Sequence, residues 1–456
     1  MDFYNLLLKR QAAGKPVRVG VIGAGMYGSE YLTQAKFVPG IKLVAVAGRH
    51  TDKALKNCVK AGWPKDQLTT VQSVSAINDA AKKGQVAIID DAKKLMQADL
   101  DVVLEATGIP ETGVELAWSA AENGKNIIMV NVEADVLAGM ALKQAFDKKN
   151  LVYSLGYGDQ PALICDLVDW ARTSGFEVIA CGNFGPFNPS KRYSTQDMGW
   201  KSYGITEEQM ATGAYNKKMY NSFTDKTKSE CEMAAVANAC NLVPQKEGLT
   251  YPMIEHDQLA EMLKPKSEGG VLEHAGTVEF IATTKRDGTR LQSPARGEVY
   301  VAYKVQSEYA REIMVDFGGR HRMVNDSTNR YSLNIRPIHM LGLELGISVA
   351  AVGLLGIPTG APRNFVADLA TITKRNLVPG DILDGEGGDL AFGKMVRASD
   401  SLKGRYLPMG LSSGAKVIKG VAKDTIVTYD DVTLDQNKLS YKLRKQVENQ
   451  FGSQYK

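Results

Sequence analysis

The run Ser222–Met233, SFTDKTKSECEM, concentrates groups able to do chemistry. Hydroxyls at Ser222, Thr224 and Thr227 stand beside Lys226 and Lys228, with Glu230, Cys231 and Glu232 just behind. The run continues into AAVANAC, which reads as a closely packed helix. Thr224 or Asp225 is the expected N-cap, its side-chain oxygen accepting from the first free N–H groups. Lys228 and Glu232 are four apart and share a face, which Ala235 and Ala239 continue. Ser222, Thr224, Lys226 and Thr227 then stand at the positive helix end, which suits a phosphate. One reading is a substrate clamp, with Asp225, Lys228 and Glu232 among the catalytic groups. The other is a capped helix carrying a solvated ion pair.

Two further clusters hold cations. NPSKRYSTQD carries Lys191 and Arg192 after a strand and a Pro-rich turn, and NRYSLNIRPIH carries Arg330, Arg336 and His339. Lys191 or Arg336 could hold a phosphate or carboxylate. The histidines, at 50, 256, 274, 321 and 339, show no spacing for two metal ligands on one helix. Proton transfer is therefore assigned to Lys, Asp and Glu, whose pKa values burial can shift. A metal would need two or three carboxylates and an open position, for which Glu133, Asp159 and Glu232 are available; the spacing identifies no set. Gly-x-Ser-x-Gly is absent, which disfavours an α/β-hydrolase.

A second chemistry lies near the amino terminus. Gly23, Gly25 and Gly28 form G-x-G-x-x-G between the apolar run Val17–Ile22 and a helix expected from about Met26. In that context the first glycine permits the turn, the second admits a pyrophosphate, and the third allows helix–sheet packing. Met26 and Tyr27 open the helix and lie in the same dinucleotide-binding loop. A carboxylate for a free ribose 2′-OH is expected ~20 residues past the last glycine. The chain instead reads Gly48-Arg49-His50, with Thr51 and Lys53 beyond, and Arg49 suits a 2′-phosphate. NADP(H) is expected over NAD(H). Thr107 and Gly108, in EATG, and Asn131 and Glu133, in NVEAD, end later strands, where ligands of open α/β sheets sit. Glu133 could equally serve as a helix N-terminal carboxylate.

Strand–helix repetition over residues 1–155 predicts a doubly wound parallel sheet, hence an α/β fold with a Rossmann domain. Residues 156–357 read as an α+β catalytic and dimerisation domain, ending in a long buried helix after Ile338, with a linker around Pro244–Pro265. Residues 358–440, with short strands between Gly, Pro and Asp turns, read as a small, mostly β domain; 441–456 form a charged helical tail. At 456 residues the chain has room for about three domains. Its 55 basic and 51 acidic residues are too balanced for nucleic acid as main partner. Five cysteines without a C-x-x-C pair indicate reduced thiols and a cytoplasmic location. Ile338–Ile357 is long enough for a membrane span but includes His339 and Glu344, and no membrane association is expected. No signal peptide is read in the first residues.

These stretches resemble known families. DVVLEATG and NIIMVNVEAD resemble homoserine dehydrogenases. GYGDQP, SFTDKTKSECEMAAVANA, NIRPIHMLGLELGISVA and TITKRNLVPGDILDGEGG together resemble the 1-deoxy-D-xylulose 5-phosphate reductoisomerase-like proteins, over about residues 15–440. The resemblance implies a homoserine-dehydrogenase-like Rossmann domain, a catalytic domain and a carboxyl-terminal SAF domain. It also implies an NADPH-dependent reductoisomerase that makes 2-C-methyl-D-erythritol 4-phosphate in isoprenoid biosynthesis, with a divalent metal (Mg or Mn), and a homodimer. The substrate is expected to be a small molecule, phosphorylated or carboxylated. Where D-G-T-K is usual, this chain reads Asp225-Lys226-Thr227-Lys228. A homoserine-type or sugar-derivative dehydrogenase without isomerisation, and a non-catalytic NADP-binding sensor, are the alternative readings.

Overall fold

The computed structural model describes residues 2–211, 215–321 and 324–453. The chain forms two compact units. The first comprises Met1–Ala162, Met340–Ala361 and Lys442–Arg444; the second comprises Leu163–His339, Pro362–Tyr441 and Lys445–Lys456.

The first unit is built on seven strands: β1 (Val17–Ile22), β2 (Ile41–Ala47), β3 (Leu68–Thr70), β4 (Val86–Ile89), β5 (Val102–Glu105), β6 (Asn126–Met129) and β7 (Tyr153–Leu155). They lie in the order β3-β4-β2-β1-β5-β6-β7, all parallel. The order reverses between β1 and β5, which marks the ligand-binding edge of such sheets. Val17, Val19 and Val21 are fully buried, as continuous β-branched runs must be when helices cover both faces. The expected Rossmann architecture is present. β3 and β4, short runs not anticipated from the sequence, complete its far side.

The stretch after Ile338 is not one long helix. A 3-10 turn at Gly342–Glu344 precedes a helix at Gly346–Ala350 that opens into a π-turn at Ala351–Leu355. Gly342 explains the late start: a Cβ there would meet Tyr27 O at 2.5 Å, so the backbone lies directly on the helix Met26–Ala35. Gly356, in the left-handed region (φ 66°), ends it. Leu345, Val349, Ala350 and Val352 join Val17 and Tyr31 in the core of the first unit. Among the described residues, no helix is long and apolar enough to cross a membrane.

The second unit carries a mixed sheet of β8 (Glu177–Gly185), β9 (Thr277–Val278), β10 (Ile281–Ala282), β11 (Val299–Lys304) and β12 (Tyr331–Arg336). β11 lies antiparallel between β8 and β12, while β9 and β10 run parallel to β8. The stretch expected as a linker is packed, not free: Leu249, Tyr251, Ile254 and Leu259 are buried. Further on come the antiparallel pairs β13 (Ala367–Thr373) with β14 (Ala391–Arg397), and β15 (Lys416–Val417) with β16 (Val432–Thr433). The helix Thr227–Cys240 is buried along nearly its whole length. Asn238 ties it to β13, accepting from Val366 N and Ala367 N at 2.9 Å and donating to Ala367 O at 3.1 Å.

Candidate functional site

In the first unit, the glycines after β1 answer to three different demands. Gly23 has φ 97°, and a Cβ there would meet Ala106 O at 2.5 Å. Gly28 lies so close that a Cβ would stand 2.0 Å from Gly23 O. At Gly25, by contrast, a Cβ would meet nothing within 4 Å. Glycine is needed at Gly23 and Gly28 to close the loop; at Gly25 the protein itself makes no such demand. An open backbone approach at the N-cap of Met26–Ala35 fits a pyrophosphate resting on the helix end. Met26 is exposed and Tyr27 partly buried beside it.

Arg49, two residues past the end of β2, is exposed. It lines an open cleft of about 520 Å³ with Asp90, Asp91, Lys93 and Lys94. Asp91 caps the following helix, accepting from Lys93 N at 2.8 Å and Lys94 N at 3.2 Å, and pairs with the Lys94 ammonium at 3.9 Å. Lys93 and Lys94 come from beyond β4, so their nearness to Arg49 has no signal in local sequence.

At the end of β5, register sets Glu105 beside Ile22. Glu105 is fully buried and accepts from Thr107 N at 2.9 Å and from the Thr107 hydroxyl. Thr107 is therefore held by this carboxylate, and Gly108 follows exposed in the left-handed region (φ 66°). Asn131 is the N-cap of Val132–Asp147: its Oδ1 accepts from Ala134 N at 3.1 Å and its Nδ2 donates to Ile109 O at 2.9 Å. Its side chain thus ties two strand-end loops together. Glu133 lies partly buried in the first turn of that helix.

Burial raises Glu105 to about 7 and does the same for Asp135, which accepts from the Tyr153 hydroxyl at 2.9 Å. In the second unit burial also raises Glu279 to about 7. A carboxyl whose folded pKa lies above its unfolded value contributes stability that is complete below the unfolded pKa, about 4, and is lost as pH rises to about 7. The melting temperature should therefore fall between about pH 4 and pH 7. Each such group steepens the fall by at most ~1.4 kcal/mol per pH unit. Asp135→Asn should flatten the dependence measured by thermal melts; an unchanged slope would remove Asp135 from the account.

In the second unit, the polar run of Ser222–Met233 is divided between two helices. Ser222 and Thr224 end the helix Lys217–Thr224, and their hydroxyls donate back to Met219 O at 2.8 Å and Tyr220 O at 2.8 Å. They do not cap the next helix. That helix starts at Thr227, and Lys226 occupies the N-cap position in the left-handed region (φ 70°). Asp225 still caps through its side chain, accepting from Thr227 N at 2.9 Å.

The buried Asp225 carboxylate pairs with Lys374, at the end of β13, at 2.7 Å. Lys374 also donates to Gly388 O at 2.6 Å and Ser194 O at 2.8 Å. Burial pushes the Asp225 pKa up, and the Lys374 charge opposes it. Lys228 and Glu232 do form an ion pair, at 3.9 Å, with side chains only 17% and 8% exposed. The pair is far from a solvated surface contact.

Lys191 is exposed and reaches Ser202 Oγ at 3.4 Å. Its neighbour Arg192 turns inward and meets Glu230 at 2.5 Å. Glu230 also accepts from the Tyr251 hydroxyl at 2.7 Å and from Met395 N at 2.9 Å. The Arg192 guanidinium lies over Phe187, Tyr251 and Phe392, at 5.1–5.5 Å from each ring. Arg336 ends β12, partly buried and paired in register with Val299. Tyr251 and Lys374 were not anticipated, and Arg192 and Glu230 were noted in their polar runs but not as partners, because only the tertiary fold unites them. Among the described residues, no group of three or more His, Cys, Asp or Glu side chains could hold a metal. The expected divalent metal therefore lacks a donor set there. The five cysteines form no disulfide, and Cys165 and Cys240 Sγ lie 3.7 Å apart.

Residues 158–345 match the family described as "Oxidoreductase DRL, catalytic domain". That description speaks for an oxidoreductase and does not specify a reductoisomerase. No curated protein matches the chain. Among solved structures, the chain is similar to a levoglucosan dehydrogenase in complex with NADH, at 17% identity over 39% of this chain and 45% of that one, with a TM-score of 0.27. This chain thus spans less than half of that relative's length. A putative myo-inositol dehydrogenase from Sinorhizobium meliloti 1021 shares 13% identity over 75% of this chain and 90% of its own, with a TM-score of 0.38. Myo-inositol 2-dehydrogenase from Lactobacillus plantarum shares 14% identity over 75% and 91%, with a TM-score of 0.36.

Proposed function

We propose that this chain is an NADP(H)-preferring oxidoreductase that interconverts a hydroxyl and a carbonyl on a small, sugar-like substrate, without isomerisation. One observation carries the reading: the glycine loop after β1, closed by necessity at Gly23 and Gly28 and open at Gly25. When bound, the nicotinamide cofactor supplies or accepts the hydride. Arg49 and Lys93 bind the 2′-phosphate. Lys228 moves the proton at the substrate oxygen, and Glu232 keeps its ammonium in place. Asp225 and Lys374 fix the start of the helix that carries both. Arg336 and Lys191 hold the rest of the substrate. The matched family is described as an oxidoreductase and its description names no rearrangement, which supports simple dehydrogenation.

The test is nicotinamide oxidation or reduction against sugar acids, ketose phosphates, polyols and aspartate semialdehyde. Turnover of one class with NADPH supports the reading, and turnover of none removes it. For the cofactor, a hydrogen bond to a charged group contributes about 1.5–3 kcal/mol, so Arg49→Ala should weaken NADPH binding ~10–150-fold and leave NADH unchanged. Fluorescence titration measures both. Equal losses for the two cofactors would refute the role of Arg49.

A further inference from the structure

Lys226 differs from the other cations of its neighbourhood. Lys374 is paired with Asp225, Arg192 with Glu230 and Lys228 with Glu232. Each of these three cations has a carboxylate within ion-pair distance; Lys226 has none, and the Glu232 charge reaches it only from farther off. Among the described residues its ammonium has no hydrogen-bond or ion-pair partner; it lies 4.9 Å from the centre of the Phe280 ring. The carboxylate of Glu279 is already engaged, by Thr250 N at 3.0 Å, Phe280 N at 2.9 Å and the Gln245 amide at 2.5 Å.

The rings beneath Lys226 are buried and held in place. Phe187 stacks on Tyr251 with centroids 3.8 Å apart, and Tyr251 meets Phe280 at 5.1 Å. Arg192 stands over Phe187 and Tyr251, Lys226 over Phe280, and Arg286 over Phe187, 5.1 Å from its centroid. Lys226 and Tyr251 both adopt left-handed backbone, at φ 70° and 53°. Such conformations cost of order 1–3 kcal/mol outside glycine and cluster where a ligand is held. Lys226 is partly accessible, so a solute can reach it. Partial loss of hydration also brings its pKa down to about 8, so it still carries its proton at neutral pH.

We propose that Lys226, flanked by Arg192 on the Phe187–Tyr251–Phe280 floor, binds an oxyanion of the substrate, a carboxylate or a phosphate monoester on a small sugar derivative. The buried rings fix the position of Lys226 from below, and its ammonium takes the charge. A lysine here instead of glycine is then a specificity determinant of this chain. The inference rests on the proposed oxidoreductase reading for its substrate class but not for its test.

The test uses the full chain without cofactor. Thermal melts are titrated with inorganic phosphate, and separately with D-gluconate, against KCl at equal ionic strength. A saturable rise with one anion is expected, and the anion that acts identifies its class. In Lys226→Gly the half-saturating concentration should rise at least ~10-fold, the scale of one charged hydrogen bond. Lys226→Arg should stay within ~3-fold, because it keeps the charge. Lys226→Gly relieves the left-handed backbone, so its ligand-free melting temperature should not fall. No response to either anion, or equal responses in wild type and Lys226→Gly, overturns the proposal. No anion response in the wild-type chain with turnover intact refutes only this site. A Lys226-dependent response with no turnover of any substrate refutes only the redox reading.

Discussion

Asp225→Ala should destabilise the second unit by about 3–5 kcal/mol, the usual cost of removing one partner of a buried ion pair. The reason is the fate of Lys374. Its ammonium, buried and 2.7 Å from Asp225, would keep only the carbonyl oxygens of Gly388 and Ser194 and would carry an uncompensated charge. The substitution also removes the acceptor for Thr227 N, so the helix carrying Lys228 and Glu232 loses its cap. Urea denaturation followed by circular dichroism measures the loss. The exposed pair Lys82–Asp79, at 3.2 Å, is the control: Asp79→Ala should cost less than about 1 kcal/mol. If Asp225→Ala costs no more than the control, the pair does not organise this region. Lys374→Met should restore part of the stability when combined with Asp225→Ala, since an apolar pair leaves no charge without a partner.

Lys228→Ala should lower kcat ~10²–10⁴-fold on the substrate identified by the turnover panel, the range for loss of a positioned acid or base. The pair with Glu232 at 3.9 Å is nearly enclosed, which distinguishes it from a surface contact worth little. Glu232→Gln should have the smaller effect, because it removes the counter-charge and leaves the ammonium in place. The pH profile of kcat separates the roles: Lys228→Ala should abolish one limb, and Glu232→Gln should shift it. A kcat within threefold of wild type for Lys228→Ala would remove Lys228 from the chemistry.

Much of the first unit was legible locally. Val17–Ile22 is a strand and Met26 opens a helix, as the β-branched run and the glycines after it require. β3 and β4 were not foreseen: runs of three and four residues carry too little periodicity to stand out. The helix expected after Ile338 failed for a different reason. Only its middle is buried, while Ile338, Met340, Leu343, Leu355 and Ile357 are exposed, and Gly342 serves a close backbone approach and not helix continuity. A contact of that kind lies outside any local window.

In the candidate site the division follows the reach of the interactions. By itself, the chain's order of residues determined what depends on near neighbours. It determined the glycine loop, Arg49 after the second strand, and Lys228 with Glu232 on one helical face, since a 3.6-residue period brings i and i+4 together whatever surrounds them. The tertiary structure decided what each charge faces. Lys374, 149 positions from Asp225, neutralises it; Arg192, 38 positions from Glu230, is turned inward while Lys191 stays in solvent. The cost of burying a charge depends on its partners in space, and those are chosen by strand pairing and packing far from it in sequence. That is why Lys226 reads in the sequence as a departure from a glycine pattern, and in the fold as a cation with no carboxylate within ion-pair distance.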